Sequence, residues 1–189
     1  MGFAISWLAV SGRSPESVLG ELGVSRTGRA EEFPESPITC AKLPSGWFLV
    51  FANEFDSPLV SERTLGALSA ECEVLACQVE EHVMFSSASY HANSQQIWYV
   101  EHDAQKSIYH LRSQGRLPGQ FDDLFAGLKK QQDDDGGTES DVDYIHDVPV
   151  ALASSIVSFR HDQDIAGASP ESFEVLTRQP SAKPWWRVW

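Results

Sequence analysis

Strand-like and helix-like segments alternate over the first 85 residues, and their order constrains the fold more than any other feature of the chain. Segments rich in branched and aromatic residues predict four strands, at residues 3–10, 38–43, 47–55 and 73–85. Ser14 and Ser61 each precede a short stripe of apolar residues, and serine at such a position commonly caps a helix. The order is therefore β-α-β-β-α-β, and we expect the four strands to share one mainly antiparallel sheet.

Two further strands are expected in the middle of the chain. Residues 96–103 and 106–112 predict an antiparallel hairpin, in which Asp103 next to the turn pairs with Lys106. A strand candidate also occurs near the end, over residues 173–176. The hairpin would extend the sheet beyond its first four strands.

Two C-terminal helices complete the predicted α+β fold. One carries apolar residues at helical spacing, namely Phe121, Leu124, Phe125 and Leu128, and the other can be capped by Asp147. We expect a mainly antiparallel sheet of about six strands with a ferredoxin-like start, and helices packed on one face. Residues 1–162 would form a single domain, and residues 163–189 an irregular extension packed on that domain.

The charge of the chain favours a basic partner. Its formal net charge is −13, which opposes binding to nucleic acid or to an anionic membrane and attracts positively charged proteins. Residues 131–147 carry seven acidic side chains and no lysine or arginine. Within them Gln131–Ser140 has no apolar residue to anchor it, so we expect an exposed, mobile loop whose Asp133, Asp134 and Asp135 contact the partner.

The cysteine content and the hydropathy pattern favour a cytoplasmic protein. Three cysteines are few for a chain of this length and odd in number, which argues against a disulfide framework and favours a reducing compartment. The apolar start lacks a basic leader and breaks at Ser11-Gly12-Arg13, and no apolar run reaches the ~20 residues of a membrane helix.

Histidine and glutamate side chains on the predicted strands are the candidates for chemistry. His82, Tyr99, Glu101 and His102 could supply a general acid and base on the sheet. The predicted hairpin places His102 and His110 on opposite faces, so they would not share a metal. The Asp-Asp-Asp-Gly sequence at 133–136 resembles the front of a calcium loop, but Val142 stands where a bidentate glutamate is needed. We therefore predict neither a metal nor a cofactor.

The C-terminal residues are unusually rich in tryptophan. Trp185, Trp186 and Trp189 lie within the last six residues. Side chains of this kind either pack back onto their own domain or dock a partner, and we expect them to be at least partly buried against the domain.

Three stretches of the sequence resemble an uncharacterised family of small acidic bacterial proteins. They are the opening Gly2-Phe3-Ala4-Ile5-Ser6-Trp7-Leu8-Ala9-Val10, the central Cys77-Gln78-Val79-Glu80-Glu81-His82-Val83-Met84, and Val142-Asp143-Tyr144-Ile145. With the spacing between them, the resemblance spans roughly residues 2–162. It implies a bacterial cytosolic setting and transfers no catalytic residue.

Two classes of function remain open at this point. A non-catalytic protein that neutralises or adapts a basic protein partner, as immunity or regulatory proteins do, agrees with the charge and with the lack of known catalytic motifs. A small-ligand-binding protein or an enzyme with a His/Glu site on the sheet is the alternative. A concave pocket with converging polar groups would favour the second class.

Overall fold

Nine strands form one sheet, and four α-helices cover it within the part of the chain that the structure describes. The structure is a computed structural model that describes residues 2–165, 167 and 172–179. The strands are β1 (Ala4–Ser11), β2 (Val24–Glu31), β3 (Ile38–Lys42), β4 (Phe48–Ala52), β5 (Glu73–Glu80), β6 (Phe85–Ala92), β7 (Gln95–Asp103), β8 (Arg112–Gly115) and β9 (Phe173–Arg178). The helices are α1 (Pro15–Leu22), α2 (Glu62–Leu68), α3 (Phe121–Asp134) and α4 (Asp147–Val157).

The sheet is antiparallel throughout and runs in the order β2-β9-β3-β4-β1-β5-β6-β7-β8. The four strands predicted for the first part of the chain correspond to β1, β3, β4 and β5, and they occupy adjacent places, which confirms that they share one sheet. The predicted number of about six strands is wrong, because the sheet has nine. The ferredoxin-like start stays a prediction.

Three strands differ in existence, length or position from what the sequence suggests. The strand β2 was not predicted: its side chains are almost all exposed, and a bulge interrupts its pairing with β9 after Arg26. Both features are common at sheet edges. The segment 73–85 is not one strand, since a turn at residues 81–84 reverses the chain into β6. The strand β9 contains the strand candidate at residues 173–176 within the expected C-terminal extension, and it is an inner strand between β2 and β3.

The predicted hairpin is displaced along the chain. Residues 104–111 form a turn and loop instead of a strand, and β8 begins at Arg112, which pairs with Glu101. The expected pairing of Asp103 with Lys106 across strands is therefore wrong, although these two side chains do form an ion pair within the turn. The loop over 104–111 brings the ring of His110 to 6.3 Å from that of His102. The predicted hairpin places these two side chains on opposite faces.

Two apolar cores lie on the two faces of the sheet. On one face, the α1 face, Leu8 and Val10 of the central strand pack with Leu65 and Leu68 of α2 and with α1. On the other, the α4 face, Trp7 and its neighbours pack against α4 and Phe159. The central strand β1 is therefore buried on both sides, as its near-continuous apolar sequence requires. The helices do not lie on one face, because α4 covers the second face and α3 packs beside α4.

The acidic segment after residue 130 is not a free loop. The helix α3 continues to Asp134, and Gln132 within it is fully buried. The Gln132 amide donates to the carbonyls of Gly137 and Val142 and accepts from the backbone N–H of Tyr144. The expectation that all of Gln131–Ser140 is exposed is wrong at this residue, which fixes the chain after α3 onto the helix.

Replacing Gln132 with alanine should therefore destabilise the protein by about 2–3 kcal/mol, because two carbonyls and one N–H lose their buried partner. Its neighbour Gln131 is exposed and provides the matched control, for which we expect a change below about 0.5 kcal/mol. Urea denaturation followed by circular dichroism measures both. Equal stability of the two variants would show that the Gln132 amide does not hold this segment.

Candidate functional site

The structure divides among three locations the four side chains that the sequence proposed as a single site. His82 is exposed in the turn after β5 and pairs there with Glu80. Tyr99 and Glu101 point to the α1 face, where the Tyr99 hydroxyl donates to Glu101 at 2.7 Å. His102 lies on the α4 face with Trp98 and Val100, because side chains alternate along β7.

His102 belongs to a closed polar network under α4. Its Nδ1 lies 2.7 Å from the carbonyl oxygen of His110, and its Nε2 lies 2.9 Å from Oδ2 of Asp143. Both ring nitrogens thus face oxygen atoms of neighbouring residues. The second oxygen of Asp143 accepts from the backbone N–H of His146, whose own ring contacts the Phe85 carbonyl.

Burial and hydrogen bonding have opposite effects on the pKa of Asp143 in this network. Burial alone would raise the pKa of Asp143, but the hydrogen bonds from His102 and from the His146 backbone outweigh it, so the pKa is lowered. Burial lowers the pKa of His146. The network holds the segment before α4 onto β6 and β7, and the ring of His102 is wholly buried and inaccessible to a ligand.

A second polar region, the polar cavity, opens on the α1 face. Its volume is about 350 Å³. The floor is formed by side chains of β5, β6 and β7, namely Gln78, Ser87, Ser89, His91 and Tyr99. The start of α2 forms one wall with Ser61, Glu62 and Leu65, and Arg112 and Gln114 of β8 form the far rim.

The polar cavity contains a serine and a histidine in direct contact. Nε2 of His91 lies 3.1 Å from Oγ of Ser89, and both residues are largely buried. Burial lowers the pKa of His91, and the nearby Glu62 offsets part of this effect. Burial also raises the pKa of Tyr99, and the hydrogen bond to Glu101 adds to that increase. Perturbed groups that line a cavity mark it as a candidate site.

Sequence reasoning did not bring Ser89 and His91 together because it missed the strand that carries them. Residues 85–92 contain three serines, two alanines and no β-branched residue, so their propensity for a strand is low. One signal was present: Ser87, Ser89 and His91 recur with a period of two. This period places polar side chains on one face of a strand.

A third region, the aromatic groove, has a volume of about 680 Å³. Its lining includes five phenylalanines: Phe3, Phe33, Phe51, Phe159 and Phe173. The ring of Phe159 contacts those of Phe51 and Phe173 edge-on, while Phe33 is 53% exposed. The groove therefore has a rigid aromatic base and an exposed apolar edge.

Acidic side chains surround this aromatic base. Glu32, Glu35, Asp162 and Asp164 line the groove, and the described lining contains no lysine or arginine. Arg160 behind the groove pairs with Asp162, but also binds Asp147 through two hydrogen bonds. Burial lowers the pKa of His161 in the groove, and neither of its ring nitrogens has a hydrogen-bond partner among the described residues. The groove is thus apolar inside and negative around its rim.

The remaining predicted contact residues lie elsewhere. Asp133 and Asp134 stand at the end of α3 and pair with Lys129 and Lys130 one turn earlier, and Asp135 accepts from Ser140. Much of their charge is therefore compensated locally. Trp185, Trp186 and Trp189 lie outside the described residues.

Searches for other types of site give no further candidate. No group of three or more His, Cys, Asp or Glu side chains in residues 2–165, 167 and 172–179 could hold a metal ion. No described helix combines the length and the apolar character needed to cross a membrane. No family model, no curated protein and no solved structure matches the chain.

Proposed function

We propose that this protein binds a basic protein partner, and that the aromatic groove receives a segment of that partner. The observation that carries the proposal is the groove itself, in which an aromatic base is surrounded by carboxylates without a lining lysine or arginine in the described residues. Such a surface fits a peptide segment with one large apolar side chain flanked by positive charges.

The apolar part of the groove would supply most of the affinity. Phe33 is 53% exposed and Phe3 is 39% exposed, so a partner side chain placed between them would remove apolar area of both from water. Burial of one large apolar side chain contributes about 1.5–3 kcal/mol. Aromatic anchors in such pockets commonly dominate the energy of an interface.

The acidic rim would select for positive charge. Glu32, Glu35 and Asp164 are exposed and form no ion pair within the described residues, so they are free to meet lysine or arginine. The net charge of −13 adds a long-range attraction that accelerates encounter. Binding of this kind involves no bond-making at the groove, in agreement with a neutralising or adaptor role.

A peptide with a single tryptophan between lysine and arginine tests the proposal. We expect it to bind about 10- to 100-fold more tightly than the same peptide with alanine in place of tryptophan, because 1.4 kcal/mol corresponds to a factor of ten. Phe33→Ala should remove most of this difference. The control Val142→Ala changes another exposed apolar residue, away from the groove, and should leave the difference in affinity between the two peptides unchanged.

Fluorescence anisotropy of the labelled peptides measures these affinities. Equal binding of the tryptophan and alanine peptides would overturn the proposal. Binding that appears only after removal of residues 180–189 would also contradict it, since the occupant of the groove would then be the chain's own C-terminal segment.

A further inference from the structure

The polar cavity lies on the α1 face, where the rest of the sheet packs apolar side chains into a core. Along β1 the α1 face carries Leu8 and Val10, but it carries Gln78 on the next strand, β5, and Ser87 and Ser89 on the strand after that, β6. Burial of hydroxyl and amide groups costs free energy unless each is paired. Apolar side chains under α2 would stabilise the fold without this cost. We therefore expect these polar residues to have a function other than packing.

Ser89 and His91 have the geometry of a nucleophile and its base. They lie two residues apart on β6 and therefore on one face, with Ser89 Oγ 3.1 Å from His91 Nε2. This distance is within the range of about 2.6–3.2 Å found for activated nucleophiles. Both line a cavity of about 350 Å³, which has room for a small substrate.

We propose that Ser89 is a nucleophile activated by His91, and that the polar cavity hydrolyses a small, polar carboxylic ester. This inference goes beyond the proposed partner binding and does not depend on it, because the cavity lies on a different surface from the aromatic groove. The polar lining favours a substrate with hydroxyl or amide groups over a long acyl chain.

The reaction takes place in two steps that use only the ester and water. Ser89 Oγ attacks the carbonyl carbon, and its proton passes to His91 Nε2. The bond from that carbon to the alkoxy oxygen breaks, and the departing oxygen takes the proton from His91, which leaves an alcohol and acyl-Ser89. Water then attacks the acyl carbon while His91 accepts its proton, and collapse returns this proton to Ser89 as the carboxylic acid leaves.

Other residues of the cavity can orient the base and stabilise the developing charge. The Glu62 carboxylate acts electrostatically on His91 and favours its positive form, which arises when the ring takes the serine proton. The Gln78 side-chain oxygen accepts from Ser6 and from the backbone N–H of Asp56, so its amide nitrogen remains as a donor in the cavity lining. This amide is therefore a candidate donor to the oxyanion, because the backbone of β6 is paired with β5 and β7.

Labelling with a small alkyl fluorophosphonate tests the inference on the wild-type chain. We expect one adduct by intact mass, mapped by peptide sequencing to Ser89. His91→Ala should slow the labelling about 100-fold or more, the usual contribution of a general base. The controls Ser113→Ala and His82→Ala change an exposed serine on β8 and an exposed histidine outside the cavity and should label at the wild-type rate.

Two results would overturn the inference. One is wild-type protein that remains unlabelled at Ser89 under conditions that fully label a known serine hydrolase. The other is labelling at Ser89 that proceeds equally fast in a folded His91→Ala variant, as judged by its melting temperature. The first result needs no variant, so the test stands even if His91→Ala fails to fold.

Discussion

Replacing His102 with alanine is expected to lower the free energy of unfolding by about 3–5 kcal/mol, the usual cost of leaving a buried charge without its partner. The variant leaves the Asp143 carboxylate, whose side chain is 8% exposed, without the ring that faces it at 2.9 Å. It also removes the donor to the His110 carbonyl. Because domains of this size are stable by about 5–15 kcal/mol, the loss brings the chain close to unfolding.

His82→Ala is the matched control for this prediction. His82 also lies beside a carboxylate, that of Glu80, but its side chain is 64% exposed. Exposed pairs of this kind contribute about 0–1 kcal/mol. Urea denaturation of the two variants should therefore separate them clearly. Similar losses in both would show that the network under α4 does not stabilise the fold.

The same network predicts how stability depends on pH. The folded state lowers the pKa of Asp143 below that of an unfolded chain, so its contribution is fully present above the unfolded value of about 3.9. The contribution is then lost as the pH falls through the lower, folded value. Asp143→Asn should remove this part of the acid dependence, and its stability should fall less than that of the wild type as the pH decreases below about 4.

The sequence was most informative where each strand buries both faces. The near-continuous apolar stretch at residues 3–10 predicts a strand, and β1 forms there, in the middle of the sheet, with every residue from Ile5 to Val10 buried. Serine caps also located the first two helices correctly, since Ser14 and Ser61 accept from the backbone of Ser17 and Thr64. These signals are local and depend on few tertiary contacts.

The candidate sites depend on contacts that no local pattern contains. The aromatic groove combines Phe3, Phe51, Phe159 and Phe173 from four distant parts of the chain. The strand β9, which brings Phe173 there, is fixed by pairing with β2 and β3. The pairing of Glu101 with Arg112 likewise depends on a loop of eight residues, 104–111, and not on a tight turn. The sequence therefore identified acidic and aromatic residues without showing which of them meet.

A second large effect, on peptide affinity, is expected when the carboxylates at the rim of the aromatic groove are neutralised. A triple variant, Glu32→Gln/Glu35→Gln/Asp164→Asn, removes three carboxylates that have no ion-pair partner among the described residues. We expect it to bind the tryptophan-containing basic peptide about tenfold more weakly, since each exposed ion pair contributes about 0.2–1 kcal/mol. Because salt screens such pairs, the difference should shrink as the Debye length falls from about 10 Å at 0.1 M to about 3 Å at 1 M.

The matched control removes three negative charges from the other acidic region. Asp133→Asn/Asp134→Asn/Asp135→Asn changes the net charge by the same amount, so it lowers the long-range field equally. Two of these aspartates already pair with Lys129 and Lys130, and none lines the groove. We expect this variant to slow association modestly and to weaken equilibrium binding less than threefold, because its carboxylates would steer the peptide without contacting it.

The comparison of these two triple variants at 0.1 M salt is the most direct test of the proposed function. Peptide dissociation constants from fluorescence anisotropy should be about tenfold weaker for the groove variant and less than threefold weaker for the α3 variant. Equal weakening in both would mean that net charge alone attracts the peptide. Stronger weakening in the α3 variant would place the partner at Asp133, Asp134 and Asp135, and would contradict the assignment of the aromatic groove as the binding site.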